Sequence, residues 1–259
     1  DDGNTINYDE LQTLIQTLKN NKKDSESITK SLSTNYKYTK PRVKGYYYTV
    51  DDSLITKGYY YTVDDSLITI ERTISGHSNH VLSVFVSGDY LFTGSWDKTV
   101  KMWDINATAN NSGVVDTPMR TFSGHSGDVM SVFVSGNYLF TGCSDSTAKM
   151  WDISTGNEVR TFSEHTVTVW SVFVSGDNLF TGSEDDTAKM WDISTGNEVR
   201  TFSGHSSEIL SVFVSGDYLF TGSSDDTAKM WDISTGNEVR TFSGHIEEVW
   251  SVFVSGDYL

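Results

Sequence analysis

In 259 residues the chain sets 35 Asp and Glu against 19 Lys and Arg, a formal net charge of −16. Nucleic acid is bound by neutralising phosphates with a cationic surface, so this balance excludes it as an expected partner and favours basic or neutral protein surfaces. A single cysteine, Cys143, excludes an internal disulfide framework and suits an intracellular, cytoplasmic setting; no apolar run approaches the ~20 residues of a membrane-spanning helix, so no membrane partner is expected.

The charge is uneven. Residues 1–44 hold eight Lys/Arg and six Asp/Glu, a balance of +2, which leaves −18 for residues 45–259. The sequence opens on DDGN and stops at SVFVSGDYL, short of the FTG that follows in earlier repeats, so it reads as an internal piece of a longer protein.

Residues 8–22 place Leu11, Leu14, Ile15 and Leu18 at i, i+3, i+4 and i+7, with acidic residues early and lysines late, which predicts a short helix. Ile28 and Leu32 continue the seven-residue register through Asn21 and Ser25, so residues 8–33 offer a short coiled-coil contact to a partner. Residues 1–43 are thus a helical segment and polar linker. Residues 44–56 and 57–69 are the same 13-mer, KGYYYTVDDSLIT, in tandem. Each copy has strand-forming Tyr, Thr and Val, an Asp-Asp-Ser turn and a second extended run, the pattern of a hairpin.

From residue 75 the chain repeats with a period of about 40. Residues 165–204 recur as 205–244 with seven differences, and the unit appears four times complete, at 75–122, 123–162, 163–202 and 203–242, and once in part at 243–259. In the copy from His165, VWSVFVS, NLFTG, TAKMWDI and EVRTFS read as four strands separated by Ser-Gly-Asp, Ser-Glu-Asp-Asp and Ser-Thr-Gly-Asn turns. The apolar runs suit strands buried on both faces by stacking. The first unit carries an insertion, NATANNSGVVDTPM (106–119), between its third and fourth strands; its Asn106-Ala107-Thr108 and Asn110-Asn111-Ser112 triplets would matter only in a secreted protein.

Each unit opens on Gly-His or Glu-His and carries Trp-Asp near the end of its third strand, a signature that resembles the WD40 repeat family. The resemblance implies an all-β, WD40-type β-propeller, with four complete four-stranded blades, partial blades at both ends and the helical segment before them. It makes residues 44–74 a degenerate blade, in which the second 13-mer aligns with a shortened blade, ITIERTI (68–74) stands where EVRTF does elsewhere, and the first copy has no clear place. It also implies one hydrogen-bonded tetrad per blade: His77, Thr93, Asp97 and Trp103; His125, Thr141, Asp145 and Trp151; His165, Thr181, Asp185 and Trp191; His205, Thr221, Asp225 and Trp231. His245 stands alone.

A hydroxyl, an imidazole and a carboxylate invite comparison with a nucleophilic triad. The set recurs in every blade and ends on an indole donor, which is the pattern of an internal network, so no catalytic residue is expected. The histidines fall one per blade and cannot converge on one metal, and phosphate-loop, HExxH, CxxC and GxSxG patterns are missing, so neither metal nor cofactor is expected.

The copies differ mainly in two places. One follows the His: SNHVL, SGDVM, TVTVW, SSEIL, IEEVW. The other is the turn after the second strand: SWDK, CSDS, SEDD, SSDD. Both lie at one end of the blade. The candidate partner-binding residues are Leu82, Trp96, Asp128, Met130, Trp170, Glu184, Glu208, Leu210, Glu248 and Trp250, apolar anchors among carboxylates, as suits a basic, partly apolar segment. The reading is a non-catalytic protein-interaction scaffold. The wording VFVSGDYLFTGS is similar to repeats appended to RING-finger ubiquitin ligases and myosin-heavy-chain kinases, which implies the alternative of a targeting domain whose catalytic part lies outside these residues.

Overall fold

The computed structural model describes residues 73–107 and 114–255, with two short strands at 50–51 and 54–55. The chain divides into two compact units, residues 1–74 with 111–114, and residues 75–110 with 115–259. Among the described residues there is no helix, and none long and apolar enough to cross a membrane.

In the first unit β1 (Val50–Asp51) pairs antiparallel with β2 (Leu54–Ile55), and Ile55 stands opposite Ile74 of β3 (Thr73–Ile74). The first 13-mer therefore does enter a sheet, contrary to the expectation that it lacks a place. Its hairpin is extended by pairing with β3, a contact that the local sequence does not specify. The second copy, 57–69, lies outside the described residues, as do the helix and coiled coil expected within 8–33.

The second unit is built from four antiparallel four-stranded sheets. The first contains β4 (Val81–Ser87), β5 (Tyr90–Ser95), β6 (Thr99–Asp104) and, after β7 (Val114–Val115) within the insertion, β8 (Arg120–Ser123). β7 belongs to the sheet ordered β1-β2-β3-β7, so part of the insertion is strand. The second sheet is β9 (Val129–Ser135), β10 (Tyr138–Cys143), β11 (Ala148–Asp152) and β12 (Glu158–Phe162). The third is β13 (Val169–Ser175), β14 (Asn178–Ser183), β15 (Thr187–Asp192) and β16 (Glu198–Ser203), and the fourth β17 (Ile209–Ser215), β18 (Tyr218–Ser223), β19 (Ala228–Asp232) and β20 (Glu238–Phe242). These sheets are the blades that the forty-residue period predicts.

Neighbouring blades bury their facing sides against one another, so the second and third blades are covered on both. Phe92, Val100, Met102 and Phe122 of the first blade meet Val129, Val132, Val134, Leu139 and Trp151 of the second, and the next two junctions repeat the set with Ala148 and Ala188 in place of Val100 and Ile209 in place of Val129. Burying such side chains contributes about 1.5–3 kcal/mol each, which no single blade can gain alone. Close approach is secured by Gly142, where a Cβ would lie 2.9 Å from Val169 O.

The first strands of successive blades lie side by side. Phe85, Phe133, Phe173, Phe213 and Phe253 form a ladder of tilted rings with centroids 4.9–5.0 Å apart. Beside it Ser83 Oγ accepts from Val132 N at 3.0 Å, and Ser131, Ser171 and Ser211 do the same for Val172, Val212 and Val252. Toward the opposite end, Arg160 donates to the carbonyls of Ser194 and Thr195, and Arg200 to those of Ser234 and Thr235, tying each outer strand to the next blade. Val249 and Val252 of the fifth unit cover Phe220 and Ala228, while Trp250 and Phe253 are 65% and 67% exposed.

Candidate functional site

All four expected tetrads are assembled. In the third blade His165 Nδ1 lies 2.7 Å from Asp185 Oδ2, His165 Nε2 lies 2.7 Å from Thr181 Oγ1, and Trp191 Nε1 donates to Thr181 Oγ1 at 2.9 Å. The sets around His77, His125 and His205 repeat this, with His–Asp distances of 2.7, 2.9 and 2.7 Å. One proton pattern satisfies every group: the imidazole donates from Nδ1 to the carboxylate and accepts the threonine hydroxyl at Nε2, while that oxygen accepts from the indole. The carboxylates also receive backbone N–H groups, as from Ser78 to Asp97 and Ser206 to Asp225.

Electrostatics follows from this packing. Burial lowers the pKa of His77 and His205 below the usual 6.5, against the raising effect of Asp97 and Asp225, so the neutral imidazole is favoured. Burial alone would raise Asp225, but hydrogen bonds from Thr227, His205 and Ser206 outweigh it and hold the carboxyl at about 2. The threonines are fully buried and their oxygens already engaged, so the constellation offers no free nucleophile.

In the second blade His125, Cys143 and Asp145 bring three possible metal-donor atoms within 4.8 Å of one another. Both His125 nitrogens are bonded to Asp145 and Thr141, and Cys143 Sγ accepts from Asp145 N at 3.3 Å. Burial pushes the Cys143 thiol up to about 12, away from the thiolate that a metal requires. These donors are committed to the fold.

The variable segments come together at one end of each blade. Trp96 N donates to His80 O, Ser144 N to Asp128 O and Glu184 N to Thr168 O, each at 2.9 Å, and Ser224 N to Glu208 O at 3.0 Å. The first strand also carries a β-bulge there. Val129 pairs with Cys143 but Ser131 pairs with Gly142, leaving Met130 as the extra residue, and Leu82, Trp170 and Leu210 hold the same place. A bulge re-aims its side chain out of the pleat, and a five-letter motif gives no sign of it; only the register against the second strand does.

The candidates differ in how open they are. Leu82 and Trp96 are 38% and 40% exposed, and the Trp96 ring meets His80 edge-on at 4.6 Å. Glu184 and Glu248 are exposed, Asp128, Met130, Trp170 and Glu208 are half-buried, and Leu210 is buried, leaving little of it open to a partner. The Trp170 indole nitrogen is buried beside the Glu208 carboxylate. Burial and the like charges of Glu184, Glu248 and Asp186 raise the pKa of Glu208, while the approach of Trp170 lowers it. Asp186, whose left-handed backbone (φ 64°) is tolerated by Asp, is a contributor that sequence reasoning did not single out.

The family model described as "WD domain, G-beta repeat" matches residues 68–104, 116–152, 156–192 and 196–232, more than half of the chain. The chain belongs to the WD40 repeat family. Each WD40 match ends on a Trp-Asp pair, from Trp103-Asp104 to Trp231-Asp232, so repeat and sheet are out of phase. The match over 156–192, for example, takes β12 from one blade and β13, β14 and β15 from the next, and thereby links neighbours covalently. No curated protein matches the chain. WD40 repeats generally mediate protein–protein interaction, and their fold is typically non-catalytic.

Proposed function

We propose that the variable end of the second unit is a recognition surface for a basic, partly apolar segment of a partner protein, in a non-catalytic scaffold role. The observation that carries this reading is the bulge, which sets Leu82, Met130 and Trp170 beside the variable turns and their carboxylates while the rest of the blade stays fixed. Trp96 and Trp250 add exposed aromatic surface, and Asp128, Glu184, Glu208 and Glu248 add negative charge. Aromatic anchors with surrounding charge are the usual carriers of binding energy and orientation. A coiled-coil contact through residues 8–33 rests on heptad spacing alone, and a targeting role for a ligase or kinase rests on the wording VFVSGDYLFTGS at 84–95 and 212–223.

The test is retention of the chain on arrayed peptides that pair Leu and Phe either with Lys and Arg or with Asp and Glu. Basic peptides retain the chain, less so at high salt, and Trp96→Ala and Trp250→Ala each weaken retention several-fold without changing the melting temperature. Equal retention of acidic peptides, or variants that bind as the parent does, rejects the reading.

A further inference from the structure

The insertion of the first blade carries a feature that the other blades lack. Of the two prolines in the chain, Pro41 follows Lys40 and Pro118 follows Thr117, so Thr117-Pro118 is its one pairing of a hydroxyl residue with a following proline. The pair stands just before β8, in a stretch, 116–118, that belongs to neither strand nor turn. Asp116, Thr117 and Met119 are all exposed.

At the same place the second, third and fourth blades turn through Ser-Thr-Gly-Asn. There the hydroxyls of Ser154 and Thr155 donate to Asp152 at 2.6 and 2.9 Å, and Gly156 N closes the turn on Asp152 O at 2.8 Å. The sets around Asp192 and Asp232 repeat this. Those hydroxyls are internal ties of tight turns. The Thr117 hydroxyl ties no two elements together, since its hydrogen bond runs to the adjacent Asp116 Oδ1, at 3.2 Å.

Proline fixes how this hydroxyl is presented. Its ring disfavours helical backbone at Thr117 and holds that residue extended, and its nitrogen has no proton to leave unpaired in an apolar cleft. An exposed, extended hydroxyl residue followed by proline is the substrate form that a proline-directed protein kinase takes up, and kinases of that class also favour a cation three residues on. Arg120 stands there. Its counterparts Arg160 and Arg200 each donate to two carbonyls of the next blade, whereas the Arg120 guanidinium lies against Gly156 and makes no hydrogen bond among the described residues.

We propose that Thr117 is a phosphorylation site for a proline-directed serine/threonine kinase, with ATP as the donor. In the transfer Thr117 Oγ1 forms a bond to the γ-phosphorus, the bond from that phosphorus to the β–γ bridging oxygen breaks, ADP leaves, and the hydroxyl proton passes to the catalytic carboxylate of the kinase. The product adds a charge of about −1.5 to −2 at neutral pH. It does so at the end of the first blade opposite the variable segments, because β6 runs away from the variable turn and its Met102 stands opposite Arg120.

The test incubates the folded 259-residue chain with ATP and a cyclin-dependent kinase complex and locates phosphate by mass spectrometry of its peptides. Phosphate is expected on Thr117. Pro118→Ala, which keeps the hydroxyl, should bring the initial rate near background, and Arg120→Gln should lower it several-fold, at unchanged melting temperature. If Pro118→Ala disturbs the fold, Thr117→Val at the exposed position serves instead and removes the uptake. A chain without phosphate on Thr117, or Pro118→Ala labelled there as fast as the parent, overturns the site. Basic-peptide retention reads the opposite end of the blade, so its failure would leave this site standing.

Discussion

Thr181 Oγ1 accepts the indole N–H of Trp191 at 2.9 Å, with the threonine at 0% and the tryptophan at 1% exposure. The same oxygen lies 2.7 Å from His165 Nε2, so the Trp ring is fixed both by packing against the neighbouring blade and by the polar chain behind it. Trp191→Ala empties a large buried volume and is expected to cost about 3–5 kcal/mol. Trp191→Phe keeps most of the ring but removes the donor, and should cost about 1–2 kcal/mol. Urea unfolding of both variants checks this. Losses below about 1 kcal/mol for the alanine variant would mean that the indole is not a core residue.

Acid should unfold the second unit in two stages. The pKa values of His77 and His205 are lowered in the fold, so the unfolded chain takes up protons more readily; their contribution is complete above 6.5 and is lost as the pH falls below it. Asp225 is depressed to about 2 from 3.8, so its contribution is present above about 4 and is lost as the pH falls toward 2. Urea midpoints measured from pH 7.5 to pH 3 should decline gently below pH 6.5 and steeply below pH 4. A midpoint that is flat or rising from pH 6.5 to pH 3 would contradict the tetrad electrostatics.

Two glycines separate steric from conformational effects. A Cβ on Gly182 would lie 2.7 Å from Ile209 Cγ2 and 3.0 Å from Ile209 O, whereas a Cβ on Gly176 meets nothing within 4 Å but must adopt φ +57°. Gly182→Ala forces the third and fourth blades apart and should cost about 1–3 kcal/mol. Gly176→Ala should cost about 1 kcal/mol through backbone strain alone. Differential scanning calorimetry of the two variants checks the order, and a smaller loss for Gly182→Ala would mean that the blades do not meet as closely as described.

The tetrads were legible through the resemblance to WD40 repeats, which assigns each by residue type at fixed positions within one repeat. The junctions between blades were legible only as hydrophobic runs: nothing in SVFVS says that Ser83 accepts from Val132 or that Phe85 stacks on Phe133. At the variable end the sequence located the segments but not their exposure. Leu82 and Leu210 share a residue type and a bulge position, yet one is 38% exposed and the other 8%, because neighbouring blades decide how much of the side chain is covered. The duplicated 13-mer marks the same boundary. Local sequence can propose a hairpin, but that Ile55 of the first copy pairs with Ile74 depends on the fold around it.

Cys143 occupies the place held by Ser95, Ser183 and Ser223 in the other blades, and its sulfur accepts from Asp145 N at 3.3 Å where their hydroxyls accept from Asp97, Asp185 and Asp225 at 3.0–3.1 Å. Its role is that of a hydrogen-bond acceptor in a buried turn. Cys143→Ser should therefore change stability by no more than about 1 kcal/mol, since the hydroxyl reproduces the bond already used in three sister blades. The thiol is fully buried and its pKa is pushed up to about 12, so in the native state it should resist alkylation at pH 8, with modification appearing only as the blade unfolds. Iodoacetamide labelling followed by mass spectrometry, at increasing urea, measures both together. Rapid labelling of the native chain would show that the turn opens without global unfolding, and a large loss of stability in Cys143→Ser would show that the sulfur packs in a way that a hydroxyl cannot replace.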